Sequence, residues 1–469
     1  MLTKIASQIV RRSNIKSYFN IRLSDRSYSV ISSVIKEANV GEVTEVKGWV
    51  KNLRVQKDLV FADISDGSCA KKLQIVIPKH LKTDDLTYGS SVRVVGKLSK
   101  SPRGQLELAA EDVKVFGECI VLDGYPFNPR TTHSAEYIRQ YLHLRCRTNY
   151  TSALLRIRNA VTKHIHNYFD NKNYLHIHTP ILTSNDCEGA GEVFKVLPDN
   201  EDTIKAMIQK DKNHDNAYFG AKTFLTVSGQ LHLEAMCRGL GNVYTLGPTF
   251  RAENSRSRLH LSEFYMLEAE LAFCDNLEDL QSTIEDLLKY VFVETRNTNE
   301  DDLYLIDKER NKPPSWLEKE FITMTYIEAK EILRKKGLPD TEVGINKEQE
   351  LALVAHCDNV PVFVVRWPKE QKSFYMKESQ DNTKVEALDL LAPITGEIVG
   401  GSLREDDYNK LKSNLPSEAL NWYLELRKFG NIPTGGYGLG LERLLQVLCS
   451  VPNIKDTLPF PRWPHNCDM

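Results

Sequence analysis

The sequence lacks paired cysteines, long apolar runs and an excess of charge of either sign. Its nine cysteines are scattered with no CxxC pair among them, which indicates reduced and mostly structural thiols. No run of about 18 apolar residues occurs, so the sequence predicts no membrane-spanning helix and no membrane partner. The 61 Lys and Arg residues nearly balance the 63 Asp and Glu residues, and the net charge of -2 excludes a chain that coats nucleic acid through bulk charge.

Charge is nevertheless placed unevenly. Residues 1–30 hold six basic residues and one acidic residue, a charge of +5 that leaves -7 for the rest of the chain. This stretch is also rich in serine and places apolar residues at helical intervals. These features are typical of a mitochondrial transit peptide, so we expect the protein in the mitochondrial matrix. The alternative is a disordered basic arm that touches RNA.

Residues 40–117 alternate apolar and polar side chains between turn signals such as Asp66-Gly67, which predicts a five-stranded barrel. Basic and aromatic side chains on such a barrel suit the OB-fold, whose open face binds single-stranded nucleic acid. The side chains that supply this chemistry are Lys47, Trp49, Lys51, Arg54, Lys57 and Phe61. The alternative is that the aromatic rings form the barrel core and the basic residues a solvated face.

Residues 118–133 contain glycine and proline at linker spacing and separate the barrel from a second domain over 134–469. That domain opens with a helical stretch at 136–173, after which strand and helix patterns alternate irregularly. Strand patterns joined by short turns, FYMK at 374–377 among them, favour an antiparallel sheet flanked by helices over a doubly wound parallel sheet. The predicted fold class is α+β, with the barrel followed by this helix-flanked sheet.

One segment of the second domain combines an arginine with carboxylates. Arg251 and Glu253 are two residues apart, so in a strand they project from the same face. The next strand pattern carries on one face Phe264, Met266, Glu268 and Glu270. An aromatic ring and carboxylates make a poor core and a plausible pocket floor. An exposed hairpin with a charged face is the alternative.

Residues 435–443 are glycine-rich and run into an amphipathic helix. They do not form the dinucleotide fingerprint, because Arg443 replaces the third glycine of GxGxxG. Glycines such as Gly438 and Gly440 let the backbone approach a ligand closely, and an arginine at a helix start presents a fixed fork to phosphate. A glycine cluster that serves helix packing alone is the alternative.

A third segment carries Asp389 and Glu397, with Arg404 just beyond them. Paired carboxylates near a phosphate site usually indicate Mg²⁺, which binds through one or two carboxylates and the oxygens of a nucleotide. Each of the three segments is a moderate signal alone, and together they predict a site for a nucleotide and Mg²⁺.

These segments resemble the class II aminoacyl-tRNA synthetases. FRAE with EFYMLEAE resembles motif 2, and GYGLGLER resembles motif 3. HTPILT resembles motif 1. In that family the proline of motif 1, which is Pro180 here, lies at the dimer interface. A barrel ahead of this domain is the arrangement of the subclass that charges Asp, Asn and Lys. The resemblance covers residues 40–469 and implies ATP as a substrate, tRNA as a partner and a homodimer.

The substrate pocket resembles that of asparaginyl enzymes. Leu233 stands where aspartate enzymes carry a lysine, and without that charge a second substrate carboxylate would lack compensation. Glu268 would accept from the amide NH₂ of the substrate, while Arg404 would donate to the amide oxygen. The resemblance also assigns Glu188, in a mobile loop, and Gln230 to the α-ammonium of the substrate. The implied substrates are L-asparagine and tRNA(Asn) with a GUU anticodon.

The remaining roles implied by the resemblance fall into three sets. The ATP-binding set is Arg251 (α-phosphate and reacting carboxylate), Glu253 (adenine amino group), His260 (γ-phosphate), Phe264 (adenine stacking), Gly438, Gly440 and Arg443 (adenine and γ-phosphate). The Mg²⁺ ligands are Asp389 and Glu397, and the anticodon-reading set is Arg54, Phe61 and Gln74. Arg251 and Arg443 are the catalytic residues of this assignment, because positioning and charge stabilisation need no protein nucleophile.

Two positions depart from the family pattern. Leu259 stands where the family typically has arginine, which removes one cation near the phosphates, and Arg256 and Arg258 are close enough in sequence to substitute. Leu403 stands where many relatives have glutamine before the substrate-reading arginine. The polar insertion at 199–222 has no role that its sequence indicates.

Three other functions stay open. The nearest is an aspartate-specific or non-discriminating aspartyl synthetase of the same fold, against which Leu233 and Glu268 argue. A catalytically silent RNA-binding paralogue would have no physical reason to keep the ATP-binding set together. A free-standing amidotransfer enzyme that makes asparagine is disfavoured by the barrel, which its relatives lack.

Overall fold

The computed structural model describes residues 28–37, 39–129, 131–184, 192–210, 213–307, 312–341 and 344–469. The chain divides between His133 and Ser134 into two compact units. Of the predicted transit peptide, residues 1–27 lie outside the described residues, whereas Ser29 N donates to Glu45 O of the first unit at 2.7 Å. Within the described ranges, no helix is both long enough and apolar enough to cross a lipid bilayer.

The first unit is a closed five-stranded barrel. Its elements are helix α1 (Ile31–Glu37) and strands β1 (Val43–Val55), β2 (Leu59–Ser65), β3 (Leu73–Pro78), β4 (Ser91–Lys100) and β5 (Leu106–Gly117). The strands follow one another around the barrel in the order β1-β2-β3-β5-β4, and β3 pairs with β5 in parallel. Because alternate residues of a strand face inward, the predicted alternation fills the barrel with aliphatic side chains. The predicted five-stranded barrel is confirmed.

The aromatic side chains of the barrel lie outside this core. Trp49 is 39% exposed and Phe61 is half-buried on the outer surface. The alternative in which the aromatic rings form the barrel core is therefore wrong, because valine, isoleucine and leucine already fill the interior.

The second unit is built on an eight-stranded sheet. Its strands are β6 (Leu175–His176), β9 (Val243–Phe250), β10 (Glu263–Ala272), β11 (Ile322–Thr325), β12 (Val362–Pro368), β13 (Lys384–Ala392), β14 (Gly396–Leu403) and β15 (Thr434–Gly440). They lie in the order β11-β12-β13-β14-β15-β10-β9-β6. A separate two-stranded sheet is formed by β7 (Leu182–Thr183) and β8 (Phe224–Leu225).

Helices flank the eight-stranded sheet. They are α2 (Ala135–Arg139), α3 (Asn149–Asn171), α4 (Glu201–Met207), α5 (Gln230–Leu240), α6 (Leu277–Ile306), α7 (Tyr326–Lys335), α8 (Lys347–His356), α9 (Tyr408–Asn414), α10 (Asn421–Glu425) and α11 (Leu441–Cys449). The helical stretch predicted at 136–173 is divided into α2 and α3. Helix α3 begins anew at Asn149, because Thr148 caps it by accepting from Thr151 N. Helices α3, α6 and α11 share the main apolar core with the central strands.

The six strands from β12 to β9 pair antiparallel, as predicted, but both edges of the sheet pair in parallel. Helices α7 and α8 lie between β11 and β12, and α4 and α5 lie between β6 and β9. Such crossovers are what a parallel pair requires, so the antiparallel prediction is right for the centre and wrong at the edges. The strand predicted at 374–377 is also wrong, because that segment forms only an isolated bridge between Met376 and Arg404.

Candidate active site

The centre of the sheet carries a row of four residues on four neighbouring strands. The register pairs Glu268 with Gly438, Gly438 with Gly400, and Gly400 with Asp389. Directly opposed residues point to the same face of a sheet, so the carboxylates stand at the ends of the row and the glycines leave a low floor between them. Two adjoining cavities open over this floor, and Arg251 lines both.

The first cavity, called the arginine cavity, is lined by all the predicted ATP-binding residues: Arg251, Glu253, His260, Phe264, Gly438, Gly440 and Arg443. Arg251 Nη1 lies 3.9 Å from Glu253 Oε1, and its guanidinium lies 5.7 Å from the centre of the Phe264 ring. The structure therefore brings this predicted set together around one space.

The reason predicted for the alignment of Arg251 and Glu253 is wrong. Strand β9 ends at Phe250, so both residues lie in the loop beyond it and strand alternation does not orient them. Instead, Arg251 N donates to Ser262 O at 3.0 Å, which closes the start of this loop against the start of β10.

His260 and Arg443 also line the arginine cavity. His260 Nε2 lies 3.8 Å from Glu253 Oε2, and burial together with nearby cations lowers the pKa of His260. Arg443 Nη1 donates to Glu397 O at 2.8 Å and lies 3.7 Å from Glu397 Oε2. The contacts of His260 with Glu253 and of Arg443 with the Glu397 carboxylate are longer than direct hydrogen bonds, whereas His260 Nδ1 lies 2.5 Å from Ser257 Oγ.

The second cavity, called the carboxylate cavity, is lined by the residues predicted to read the substrate: Gln230, Glu268 and Arg404, together with Asp389 and Glu397. Glu268 is buried, and it accepts from Ser228 Oγ and from Gly229 N, the latter at 2.8 Å. Burial raises the pKa of Glu268 above that of an ordinary glutamate. The structure thus places a buried carboxylate with fixed hydrogen bonds where the amide acceptor is predicted.

Arg404 has protein partners of its own within this cavity. Its guanidinium forms a buried ion pair with Glu270, in which Nε donates at 3.0 Å, and Nη1 donates to Ser402 Oγ at 2.9 Å. Gly436 is required beside this pair, because a Cβ there would overlap the Glu270 carboxyl and Arg404 Nη2. The sequence placed Glu270 on the same predicted pocket floor as Glu268, but it did not indicate that Glu270 pairs with Arg404.

A second buried charge cluster centres on Glu234, which has no exposed surface. Its carboxylate lies 2.9 Å from Arg427 Nη2 and 2.8 Å from Arg238 Nη2, and the hydroxyl of Tyr423 donates to it. Burial opposes the charged form, but the guanidinium groups of Arg427 and Arg238 outweigh it and lower the pKa of Glu234.

This cluster holds the backbone around Arg404. Arg427 Nε donates to Glu405 O at 2.9 Å, and Arg404 N donates to Thr434 O at 2.8 Å. Thr434 Oγ1 in turn donates to Glu234 at 3.3 Å. Sequence reasoning missed the cluster because its members are far apart along the chain. The local signals were the spacing of four between Glu234 and Arg238 on α5 and the same spacing between Tyr423 and Arg427.

The carboxylates predicted to bind Mg²⁺ converge over Gly400. A Cβ built on Gly400 would lie 3.4 Å from Glu397 Oε1 and 3.7 Å from Asp389 Oδ1. Burial raises the pKa of Asp389 to about 6 against the attraction of Lys372, which lies 2.8 and 2.7 Å from its two oxygens. The described residues hold no group of three or more His, Cys, Asp or Glu side chains suited to a metal ion. A cation here would complete its shell with substrate oxygens and water, as Mg²⁺ commonly does.

Three further predicted positions are Gln230, Glu188 and Pro180. Gln230 begins α5, and its side-chain nitrogen is buried with no hydrogen-bond partner within the described part of the chain. Glu188 lies outside the described residues. Pro180 is exposed at the β6 edge of the sheet, among exposed apolar side chains that include Leu175 and Ile181.

The three predicted anticodon-reading residues lie together on the surface of the barrel. Arg54 stands opposite Phe61 in the register of β1 and β2, and its guanidinium lies 5.7 Å from the Phe61 ring centre. The amide of Gln74, in the orientation that satisfies both neighbours, accepts from Arg54 Nη2 at 2.8 Å and donates to Glu107. The set offers an aromatic face, a cation and an amide on adjacent strands.

Two protein families match this chain. Residues 134–464 match the tRNA synthetases class II (D, K and N), and residues 44–116 match the OB-fold nucleic acid binding domain. The first match covers the eight-stranded sheet with both cavities, and the second covers the barrel. The chain belongs to the class II tRNA synthetases of the D, K and N group.

Individual relatives narrow the similarity within this family. The asparaginyl-tRNA synthetase of Mus musculus is 44% identical over 445 residues, which is 91% of each chain. The probable mitochondrial asparagine–tRNA ligase of Dictyostelium discoideum is 40% identical over 449 residues, which is 91% of this chain and 94% of that protein. The asparaginyl-tRNA synthetase of Pyrococcus horikoshii, solved in complex with asparaginyl-adenylate, superposes with a TM-score of 0.80 at 30% identity, over 94% of this chain and 99% of that one.

Proposed function

We propose that this chain is an asparagine–tRNA ligase, which activates L-asparagine with ATP and transfers it to tRNA(Asn). The observation that carries the proposal is the carboxylate cavity, where Glu268 and Arg404 supply a buried acceptor and a buried donor beside Arg251. These groups match the two ends of a side-chain amide. The similarity to asparaginyl enzymes over most of the chain supports the same substrate.

The first step joins the two cavities at Arg251. The asparagine carboxylate attacks the α-phosphorus of ATP, an O–P bond forms, and pyrophosphate leaves with the electron pair of the broken bond. Arg251 lines both cavities, so its guanidinium is placed to bind the carboxylate and the α-phosphate at once. In the second step the terminal ribose hydroxyl of the tRNA attacks the adenylate carbonyl and AMP leaves. Positioning and charge stabilisation account for both steps.

The arginine cavity then holds the nucleotide. Glu253 accepts from the adenine amino group, while Phe264 and Arg443 enclose the adenine ring from opposite sides. His260 and Arg443 bind the γ-phosphate, and Gly438 and Gly440 keep the cavity floor free of side chains. The lining of one cavity by a carboxylate, an imidazole, an aromatic ring and two guanidinium groups supports this role.

Asp389 and Glu397 are the proposed ligands of Mg²⁺. Their convergence over Gly400 fits a cation that takes only two ligands from the protein. When bound, Mg²⁺ offsets negative charge on the departing pyrophosphate.

The carboxylate cavity discriminates between asparagine and aspartate by charge. Arg404 is already balanced by Glu270, and Glu268 adds a further negative charge. A substrate side-chain carboxylate would face Glu268 while Arg404 is already paired, whereas a side-chain amide donates to Glu268 and accepts from Arg404. Gln230, together with Glu188, would bind the α-ammonium group.

The tRNA partner, the assembly and the location complete the proposal. Arg54, Phe61 and Gln74 would read the GUU anticodon, with Phe61 stacked on the middle base. A homodimer formed through the edge around Pro180 would cover the apolar side chains exposed there. The basic presequence and the mitochondrial relative support import into the mitochondrial matrix.

Aminoacylation by the purified full-length chain tests the whole proposal. We expect radiolabelled asparagine to be attached to a tRNA(Asn) transcript with the GUU anticodon, and aspartate not to be attached. Attachment of aspartate to this transcript or to tRNA(Asp) would favour a non-discriminating aspartyl enzyme. Binding of the transcript with no attachment of either amino acid would favour a silent RNA-binding paralogue.

Phe61→Leu tests the anticodon assignment separately. Loss of one stacked base contact should raise KM for tRNA about tenfold, because such contacts are worth about 1–3 kcal/mol. Asparagine-dependent ATP–pyrophosphate exchange needs no tRNA and should not change. Phe116→Leu is the control, since this exposed ring on β5 lines a groove with Lys47 and Trp49 that does not include Arg54 or Phe61. Equal effects of both variants would contradict the assignment.

A further inference from the structure

Lys372 is a charged residue of the carboxylate cavity that the proposed reaction leaves without a role. It follows β12 and the short turn Lys369–Gln371, and its side chain is only 15% exposed. Its ammonium lies 2.8 Å and 2.7 Å from the two carboxylate oxygens of Asp389. It also lies 4.1 Å from the ring centre of Trp367, at cation–π distance.

The surroundings of Asp389 require a cation. The carboxylates of Asp389 and Glu397 converge over Gly400, and Glu350 lies beside Glu397, so three carboxylates repel one another. Glu350 is already paired with Lys347 and accepts from Glu397 N at 2.8 Å. Lys372 therefore supplies the compensating charge in direct contact with Asp389.

We propose that Lys372 is an internal counter-ion that stabilises Asp389 in the metal-free enzyme and competes with the divalent cation for it. This inference rests on the proposed metal role of Asp389 and Glu397. The ammonium contacts both oxygens of Asp389, so a divalent cation bound through that carboxylate is repelled by the ammonium unless the ammonium moves away. The flexible lysine stem allows this exchange, which a rigid guanidinium would resist.

The exchange explains how one site is stable both empty and loaded. Without the ammonium, a buried carboxylate beside two others would lack compensation. With it, a lone divalent cation has to displace a bound charge, while a cation that arrives with ATP brings phosphate oxygens as additional ligands. Lys372 thus selects the metal–nucleotide complex over the metal alone.

Lys372→Met removes the charge and keeps most of the length of the side chain. We expect the full-length variant to bind Mg²⁺ alone about tenfold or more tightly than the wild-type chain, in calorimetric titration without ATP. Its metal-free melting temperature should fall, and Mg²⁺ should restore it. Lys377→Met is the matched control, because Lys377 pairs with Asp406 at 2.9 Å on the same segment and does not line the cavity. Wild-type Mg²⁺ affinity in Lys372→Met would overturn the inference.

Trp367 fluorescence tests the inference in a chain that keeps Lys372, so a folding defect of Lys372→Met does not affect this measurement. Displacement of the ammonium from Asp389 changes the charge beside Trp367, so Mg²⁺ with ATP should change its fluorescence. The change is obtained by subtracting the signal of Trp367→Phe from that of the wild-type chain. No difference between these two titrations would contradict the exchange.

Asp389→Asn separates this inference from the metal assignment on which it rests. Loss of Mg²⁺ binding in Asp389→Asn, with Lys372→Met unchanged from wild type, would overturn the counter-ion role and leave the metal site standing. Unchanged Mg²⁺ binding in Asp389→Asn would overturn both.

Discussion

The two cavities of the active site differ in how their charged groups are held before any substrate binds. In the carboxylate cavity, the side chains of Glu270 and Arg404 are each 1% exposed and form a directly hydrogen-bonded ion pair. In the arginine cavity, Arg251 and Glu253 are 29% and 28% exposed and 3.9 Å apart. Selection of a side-chain amide over a carboxylate needs preorganised partners, whereas a triphosphate carries enough charge to bind partly exposed arginines.

Arg404→Met should have the largest effect, because it removes the amide donor and leaves Glu270 buried without a cation. We expect loss of asparagine-dependent ATP–pyrophosphate exchange and a fall of about 3–5 kcal/mol in the free energy of unfolding, measured by urea denaturation. Arg404→Met combined with Glu270→Leu should regain much of the stability and none of the activity. A double variant no more stable than the single one would contradict the importance of this pair.

Glu268→Gln should have the next largest effect, on specificity. Its replacement keeps the shape of the side chain but removes the charged acceptor, so kcat/KM for asparagine should fall about 100-fold or more and the preference over aspartate should narrow. Steady-state exchange kinetics with each amino acid measure this. Glu263→Gln is the control, because Glu263 lies on the same strand outside both cavities. An unchanged preference for asparagine over aspartate would contradict the role of Glu268 as the acceptor of the substrate amide.

Arg443→Gln tests the arginine cavity. We expect a smaller effect than that of Glu268→Gln, and on ATP binding instead of amino-acid specificity. KM for ATP should rise about tenfold through loss of a charge-assisted contact, with KM for asparagine unchanged. The free energy of unfolding should change by less than about 1 kcal/mol, since the pairing of Arg443 with Glu397 is partly exposed. A stability loss as large as that of Arg404→Met would erase the contrast between the cavities.

The smallest expected effect is a pH dependence of specificity. Because burial raises the pKa of Glu268, this group takes up a proton at a higher pH than an ordinary glutamate does. The carboxylate form is lost as the pH falls through this raised pKa, so the preference for asparagine should weaken in that direction. Burial also raises the pKa of Glu270, to about 7, so protonation of Glu270 leaves Arg404 without its counter-ion and should leave a smaller trend in Glu268→Gln. A flat preference in the wild-type chain would contradict the prediction.

Sequence reasoning was most successful where function depends on residues close together along the chain. The barrel followed from period-two alternation, and the motif around Arg251 and the glycine-rich segment before Arg443 mark the arginine cavity because short segments supply it. The edges of the sheet were mispredicted because the direction of a strand depends on the crossover before it, which alternation does not encode.

The carboxylate cavity was only partly predictable, because its supporting contacts join distant segments. Glu270 and Arg404 are 134 positions apart, and Glu234 and Tyr423 are 189 positions apart. Each pair forms only when strands and helices of the second unit have assembled. Sequence patterns therefore indicated Glu268 and Arg404, while Ser402, the cluster around Glu234 and the pairing of Lys372 with Asp389 required the structure.

The central claim, that a preorganised buried pair selects an amide, is tested most directly by amino-acid-dependent ATP–pyrophosphate exchange with the purified full-length chain. Asparagine and aspartate are compared at equal concentration, without tRNA. We expect ATP–pyrophosphate exchange with asparagine and little exchange with aspartate, because Arg404 is paired with Glu270 and Glu268 repels the side-chain carboxylate of aspartate. Equal exchange with both amino acids, or exchange with aspartate alone, would contradict it.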